Sequence, residues 1–215
     1  MKIFIVIPAF NEEKRIGRVL SSIRAREYDF VVVDDGSKDK TANVSRRFTP
    51  HVLRHAINLG KGAALKTGCL AAFQLGAEAV IIMDSDGQHK ASDLPKFVGA
   101  LKTYDVVFGA RDFEETPIVR LLGNKLITIL VRILFAIKVS DILCGFKAFS
   151  KGAFKKIRWS SSGYSVETEI VALTGKNHLR HCEVPVATVY YDKFKGLTPE
   201  SGLEILLDLM LFRLR

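Results

Sequence analysis

The sequence predicts an α/β protein built on a mostly parallel, doubly wound sheet flanked by helices. Two observations carry this. Short apolar runs rich in β-branched residues (2–7, 30–33, 79–83 and 105–108) are followed at once by polar or glycine-containing turns. The segments between them keep helical spacing, as at Ile16, Val19, Leu20 and Ile23, so strand and helix alternate along the chain.

In order, Lys2 to Ile7 is a buried strand, and Pro8 to Glu13 is the loop after it, with Asn11 placed to cap a helix starting near Glu12. Phe30 to Val33 is the next strand, ending in Asp34-Asp35-Gly36-Ser37, and Ser37 or Asp39 would cap a helix running to about Phe48. His51 to His55 is a short strand, and Gly60-Lys61-Gly62 opens a helix to about Leu75. Ala79 to Met83 is a buried strand, followed by a helix from Ser92 or Asp93 to Leu101 and a strand from Asp105 to Phe108. Ile118 to Val139 is a long apolar helix punctuated by Arg120, Lys125, Arg132 and Lys138. Residues 140–149 are expected to be a loop, a helix follows Glu169 to about Thr174, and Glu183 to Tyr190 is a late strand. Gly202 to Arg215 is a closing helix.

The composition fits one domain spanning 1–215: 48% of residues are hydrophobic, enough for a full core. Lys and Arg number 32 against 23 acidic residues, a net charge of +9 that suits an anionic partner. The basic residues are spread through apolar helices rather than clustered with aromatics, which argues against a nucleic-acid partner. Cys69, Cys144 and Cys182 are widely spaced and form no CxxC pair, as expected of reduced thiols in the cytoplasm. No apolar run reaches the roughly 18 residues of a membrane span. Cationic residues on the otherwise apolar helices 118–139 and 202–215 suit a helix lying on a membrane surface, where Lys and Arg reach anionic headgroups.

Chemistry concentrates at Asp84-Ser85-Asp86-Gly87-Gln88-His89, after the strand at 79–83. In an open α/β sheet ligands bind at the carboxyl ends of the strands. Asp84 and Asp86 point to the same side of an extended chain, so their oxygens can share one hard cation, with Gln88 and His89 as further ligands. Asp34 and Asp35 end another strand, yet no GxGxxG follows the first strand, so a dinucleotide dehydrogenase is not supported. Gly60-Lys61-Gly62 lacks the Walker spacing, although glycines beside a lysine at a helix N-terminus suit close approach to a nucleotide. Arg111, delivered by Gly109-Ala110, offers a guanidinium to a phosphate.

Six motifs in order give the chain its resemblance: Val6 to Glu13, Val32 to Thr41, Asn58-Leu59-Gly60-Lys61-Gly62, Met83 to His89, Gly109-Ala110-Arg111 and Asp141 to Lys147. Together they resemble the family 2 glycosyltransferases of GT-A fold, in particular the branch that makes dolichyl-phosphate mannose and dolichyl-phosphate glucose. The resemblance implies that Pro8, Phe10, Glu12 and Asp35 line the nucleoside pocket of a nucleotide-sugar donor, with Lys61 beside it. It implies that Asp84, Asp86 and Gln88 hold Mg²⁺ or Mn²⁺ against the diphosphate. Arg111 and Arg120 would receive the phosphate of a polyprenyl (dolichyl) acceptor, helped by Lys193 and Lys195 from a late loop.

The reaction so implied is inverting transfer of a hexose, with mannose from GDP-mannose favoured and glucose from UDP-glucose the other candidate. It would take place at the cytoplasmic face of a membrane, to which the enzyme attaches peripherally. An ionised lipid phosphate is already a nucleophile and needs no strong base. A soluble enzyme with a hydroxyl acceptor would need one, and Asp141 and Glu167 are its candidates. A non-catalytic nucleotide-sugar-binding module on the same fold is the remaining alternative.

Overall fold

The computed structural model describes residues 1–111 and 118–187, and within the helix that begins at 118 it describes side chains from 127 onward. Seven strands form one sheet: β1 (Ile3–Ala9), β2 (Asp29–Asp34), β3 (Val52–Arg54), β4 (Ala79–Ile82), β5 (Val106–Arg111), β6 (Lys147–Ser150) and β7 (His181–Val186). Their order is β3-β2-β1-β4-β6-β5-β7, and β6 alone runs antiparallel to its neighbours. The sheet is mostly parallel, as the sequence predicts.

Strand alternation assigns the two faces. Phe4 and Val6 of β1 pack into one core layer with α3 (Lys61–Gln74), α5 (Ile118–Phe135), α6 (Lys151–Ile157) and α7 (Val166–Lys176). Ile5 and Ile7 pack into the other with α1 (Ile16–Arg24) and α4 (Leu94–Ala100), while α2 (Thr41–Ser45) lies against α1. Both layers bury apolar residues from nearly every strand, so all strands except the edges are covered on both sides, as a parallel sheet requires.

Several elements differ from expectation. The helix after β1 begins at Ile16 rather than Glu12, and Asn11 does not cap it. Asn11 instead adopts φ +55°, takes a hydrogen bond at its Oδ1 from Lys38 N (2.9 Å) and donates its own N–H to Ser37 Oγ (2.9 Å). The helix after β2 stops at Ser45 and continues only as turns. Residues 147–150 are a strand, not a loop, and α6 follows directly, with Ser150 capping it through Ala153 N (3.1 Å). The late strand occupies His181–Val186, and the remainder of its expected span lies outside the described residues.

Helix α5 ends at Phe135, short of the expected Val139. In its described half Ile127, Val131 and Phe135 are buried against the core, while Ile129 and Ile133 are exposed, Ile133 by 72%. This half of the helix thus turns one stripe into the core and leaves Ile129 and Ile133 uncovered. Among the described residues no helix is long and apolar enough to cross a membrane. Cys69 and Cys144 are buried and Cys182 is half-buried, all as free thiols.

Candidate active site

The carboxyl ends of β1, β2, β4 and β5 lie along one edge of the sheet, and the antiparallel β6 brings its first residue, Lys147, to that same edge. The turns after β1 and β2 are laced together. Glu12 N donates to Thr41 Oγ1 (2.8 Å), Glu13 N to Asp39 Oδ2 (3.1 Å) and Lys40 N to Glu13 Oε2 (2.9 Å). Pro8 lies in β1, Phe10 is 42% exposed beside it, and the Glu12 carboxylate meets Arg15 at 3.4 Å.

Asp35, expected in the nucleoside pocket, is buried and occupied by its own chain. Its Oδ1 lies 2.6 Å from His55 Nδ1 and accepts Leu59 N (3.0 Å), while its Oδ2 accepts Gly60 N (2.8 Å). Asp35 therefore fixes the approach to α3 and so the place of Lys61. Its neighbour Asp34 accepts Ser37 N (3.1 Å) and pairs with Arg54 (3.1 Å).

The glycines of 60–62 serve a different purpose from the one their spacing suggests. The Ser162 carbonyl accepts Gly62 N (2.6 Å) and Ala63 N (3.2 Å), taking up the first N–H groups of α3 that a phosphate would need. Gly60 (φ +96°) and Gly62 leave room for the backbone at Ser161 and Ser162, and a Cβ at either would collide with it. The expected approach of a nucleotide to this helix end is thus replaced by a loop of the protein. That loop is held from below by Glu169, whose carboxylate accepts Ser160 N (2.8 Å) and Ser161 N (2.8 Å), and by Trp159 Nε1, which donates to Gly62 O (3.0 Å).

Lys61 reaches into the site instead of toward solvent. Its Nζ lies 2.7 Å from Asp84 Oδ1 and 2.5 Å from Glu167 Oε1. His89, itself buried, places Nε2 3.6 Å from Asp84 Oδ2. Burial alone would raise the Asp84 pKa, but Lys61 and His89 outweigh it and hold the carboxyl well below its ordinary value. Burial would likewise lower the Lys61 pKa, and Asp84 and Glu167 hold it above its ordinary value instead. Both ions are therefore charged at neutral pH. Asp86, partly exposed, accepts the N–H of Gln88 at Oδ1 (2.9 Å), a tight turn in which Gly87 has φ +81°. A cleft of about 380 Å³ opens beside Asp86 between α1 and residues 87–92, bordered by Lys14, Arg18 and Lys90.

On the other side of β6, Arg111 leaves β5 and meets Asp141, which is wholly buried. Nε donates to Oδ2 (2.7 Å), Nη2 to Oδ1 (2.9 Å) and the Arg111 backbone N–H to Oδ2 (3.2 Å). The buried Lys147 ammonium donates to the carbonyls of Ile142 (3.0 Å) and Cys144, and Gly145 packs so closely on Asp84 that a Cβ there would strike its carboxylate. Burial lowers the Lys147 pKa from its ordinary value.

The structure thus brings together Lys61, Asp84, His89 and Glu167, and Arg111 with Asp141, while Asp86 and Gln88 share the turn that follows Asp84. Lys193, Lys195, the helix at 202–215 and the side chain of Arg120 lie outside the described residues. Sequence reasoning missed His89 as a partner of Asp84, the pairing of Lys61 with Glu167, and the bracing role of Lys147. A lysine set in the otherwise apolar run Phe146 to Phe149 is the one sequence sign of the last.

Residues 4–158 match the family model described as glycosyl transferase family 2, and the chain belongs to that family. Among similar proteins is a UDP-N-acetylglucosamine–dolichyl-phosphate N-acetylglucosaminyltransferase of Methanococcus voltae, 29% identical over 99% of this chain and 96% of its own length. A dolichyl-phosphate β-glucosyltransferase of Trichomonas vaginalis is 32% identical over 85% of this chain and 64% of its own length. An undecaprenyl-phosphate mannosyltransferase of Micrococcus luteus is 28% identical over 88% and 84%. The fold is that of glucosyl-3-phosphoglycerate synthase from Mycobacterium tuberculosis, solved with Mn²⁺, UDP and glucosyl-3-phosphoglycerate: TM-score 0.76 at 22% identity, covering 99% of this chain and 79% of that one. It is the GT-A fold that the motifs imply.

Proposed function

We propose that this glycosyltransferase moves a hexose from a nucleotide diphosphate sugar to a polyprenyl phosphate, with inversion at the anomeric carbon and with Mg²⁺ or Mn²⁺ bound at Asp84 and Asp86. The observation that carries the reading is the placement of a carboxylate pair and a guanidinium on either side of β6, at one sheet edge. Breaking the sugar–phosphate bond develops negative charge on the leaving diphosphate, and the opposite side must receive an anionic nucleophile. Asp84 and Asp86 serve the first need, and Arg111 the second.

The donor set fits such a cation. Both carboxylates are hard oxygen ligands, and Mg²⁺ is commonly bound by one or two carboxylates plus substrate phosphates. Among the described residues no group of three or more His, Cys, Asp or Glu side chains is arranged to hold a metal on its own. Such an ion would neutralise the charge developing on the leaving group. Lys61, which now pairs with Asp84, is the cation placed to follow the diphosphate when the metal takes that carboxylate. Pro8, Phe10 and Glu12 would border the nucleoside, Asp35 would hold the wall behind it through Leu59 and Gly60, and Gln88 flanks Asp86.

Two observations favour a UDP-sugar over GDP-mannose. The carboxylates at the end of β2 are engaged by the chain's own donors, Asp35 by His55, Leu59 and Gly60, and Asp34 by Ser37 and Arg54. Guanine presents adjacent N1–H and N2–H donors that call for an open carboxylate, whereas uracil presents a single N–H. The Methanococcus relative is also named for a UDP-sugar. A lipid acceptor is supported by the names of all three relatives, and peripheral attachment to a membrane surface, which the proposal places at the cytoplasmic face, by the exposed Ile129 and Ile133 of α5, with Arg120, Lys193 and Lys195 as further contacts for the lipid phosphate. A hydroxyl acceptor would need a base, and Glu167 is already salt-bridged to Lys61.

The test is transfer of labelled sugar from a panel of UDP- and GDP-sugars to a short polyprenyl phosphate, the matching polyprenol, and 3-phosphoglycerate. The reading expects transfer to the polyprenyl phosphate alone, dependent on Mn²⁺ or Mg²⁺, with a UDP-sugar best. Transfer to the polyprenol or to phosphoglycerate in its place would overturn it.

A further inference from the structure

We propose that Asp141 is a positioning residue that aims Arg111 at the acceptor, rather than a proton acceptor, and that the buried ammonium of Lys147 braces the loop presenting it. This role presupposes the reading above, in which Arg111 receives an anionic acceptor.

A general base must turn a lone pair toward the proton it removes. Asp141 is wholly buried, and its two oxygens receive three N–H groups of Arg111: Nε and the backbone N–H at Oδ2, Nη2 at Oδ1. Two parallel bonds between a carboxylate and a guanidinium fix the plane of the guanidinium as well as its position. An arginine at the end of a strand has many rotamers, and this pair selects one of them. The Arg111 side chain keeps 22% exposure, at the end of the strand whose carboxyl end lies on the site's edge of the sheet.

Asp141 is in turn held by the loop that carries it. On one flank, Ser140 N and Oγ both donate to Glu183 Oε1 on β7 (2.7 Å each). On the other, Lys147 gathers the carbonyls of Ile142 and Cys144. Lys147 stands opposite Ile82 of β4 and Phe108 of β5, the strands that lead to Asp84 and Arg111. The loop therefore presses Gly145 against the donor-side Asp84 while its start clamps the acceptor-side Arg111. A buried ammonium bonded to two loop carbonyls sets the distance between the two halves of the reaction.

The test compares Asp141→Asn, Arg111→Ala and the double variant in transfer to a short polyprenyl phosphate. Losing the charged fork should raise the acceptor KM by about tenfold or more, the effect of one charged hydrogen bond, with donor KM and the acid limb of the pH profile unmoved. The double variant should be no slower than Arg111→Ala alone, because Asp141 acts only through Arg111. Arg111→Lys, which keeps the charge without the fork, should raise the acceptor KM similarly and serves if Asp141→Asn folds poorly. Loss of the acid limb or additive losses in the double variant would overturn the proposal. If the wild type transfers to no phosphate acceptor, the earlier reading fails, and the positioning is then read from the Arg111 Nε–H NMR signal. That signal should be protected from water exchange in the wild type and exposed in Asp141→Asn, and equal protection in both overturns it.

Discussion

Lys61 Nζ lies 2.7 Å from Asp84 Oδ1, so the carboxylate best placed for a metal is neutralised by a lysine of the chain itself. Glu167 shares that lysine from α7. Three ions, Glu167 buried and Lys61 and Asp84 half-buried, thus tie α3, the end of β4 and α7 into one unit, and a cation bound as proposed would compete with Lys61 for Asp84.

Removing the lysine leaves the buried Glu167 without its ion-pair partner and the half-buried Asp84 with His89 alone. Lys61→Met should lower stability by about 1–3 kcal/mol, less than breaking a fully buried pair because Asp84 keeps contact with water, measured as a shift in urea midpoint. The pH dependence follows from the signs. Asp84 has its folded pKa below the unfolded value near 4, so its contribution is present above about pH 4 and is lost as pH falls through the folded value. Lys61 has its folded pKa above the unfolded value near 10.5, so its contribution is full below that and is lost as pH rises through the folded value. The stability gap between wild type and Lys61→Met should be widest across neutral pH and narrow in strong acid and strong alkali.

Asp86 is partly exposed and holds only a local turn, which separates its chemistry from the fold. Asp86→Ala should change thermal stability little, since exposed sites usually move it by under about 0.5 kcal/mol. It should weaken Mn²⁺ binding in the presence of UDP by roughly tenfold or more. An EPR titration of Mn²⁺ measures this directly, and unchanged affinity would remove Asp86 from the metal site.

Two glycines in helices should respond oppositely to alanine. Gly62→Ala would drive a Cβ into the Ser161 backbone and should destabilise by about 1–3 kcal/mol. Gly99→Ala in α4 meets nothing within 4 Å and should stabilise by about 0.5–1 kcal/mol. Denaturant midpoints of the two variants check both signs.

How much of this was legible in sequence depends on how local each signal is. The strands β1, β2 and β4 are continuous apolar runs, and the Asp84-x-Asp86 pair ends one of them, so both were readable. β6 is four residues starting with a lysine, a pattern that looks like a loop until Lys147 is seen buried between two strands. The Lys61–Glu167 pair spans 106 positions, and spacing cannot reveal it. The glycines at 60 and 62 signal that something comes close, but sequence does not say that it is Ser161 and Ser162 rather than a phosphate. Asp35 poses the same difficulty: an acidic residue at a strand end can bind a ligand or its own loop, and spacing does not show that its oxygens accept the N–H groups of Leu59 and Gly60.

Glu169 supports that loop from beneath, so its charge should matter far from any substrate. Glu169→Gln should speed amide exchange at 60–64 and 160–163 by about tenfold, the loss of a charge-assisted bond. Exchange mass spectrometry measures it, and unchanged exchange at 60–64 would show that the loop does not depend on Glu169.

In the proposed reaction a sugar–phosphate bond forms on the acceptor lipid. ³¹P NMR of a short polyprenyl phosphate incubated with enzyme, UDP-sugar and Mg²⁺ reads that bond itself. Conversion of the phosphomonoester resonance to a phosphodiester, with UDP released and the change abolished by chelator, is the predicted result. UDP release with the phosphomonoester unchanged would contradict it.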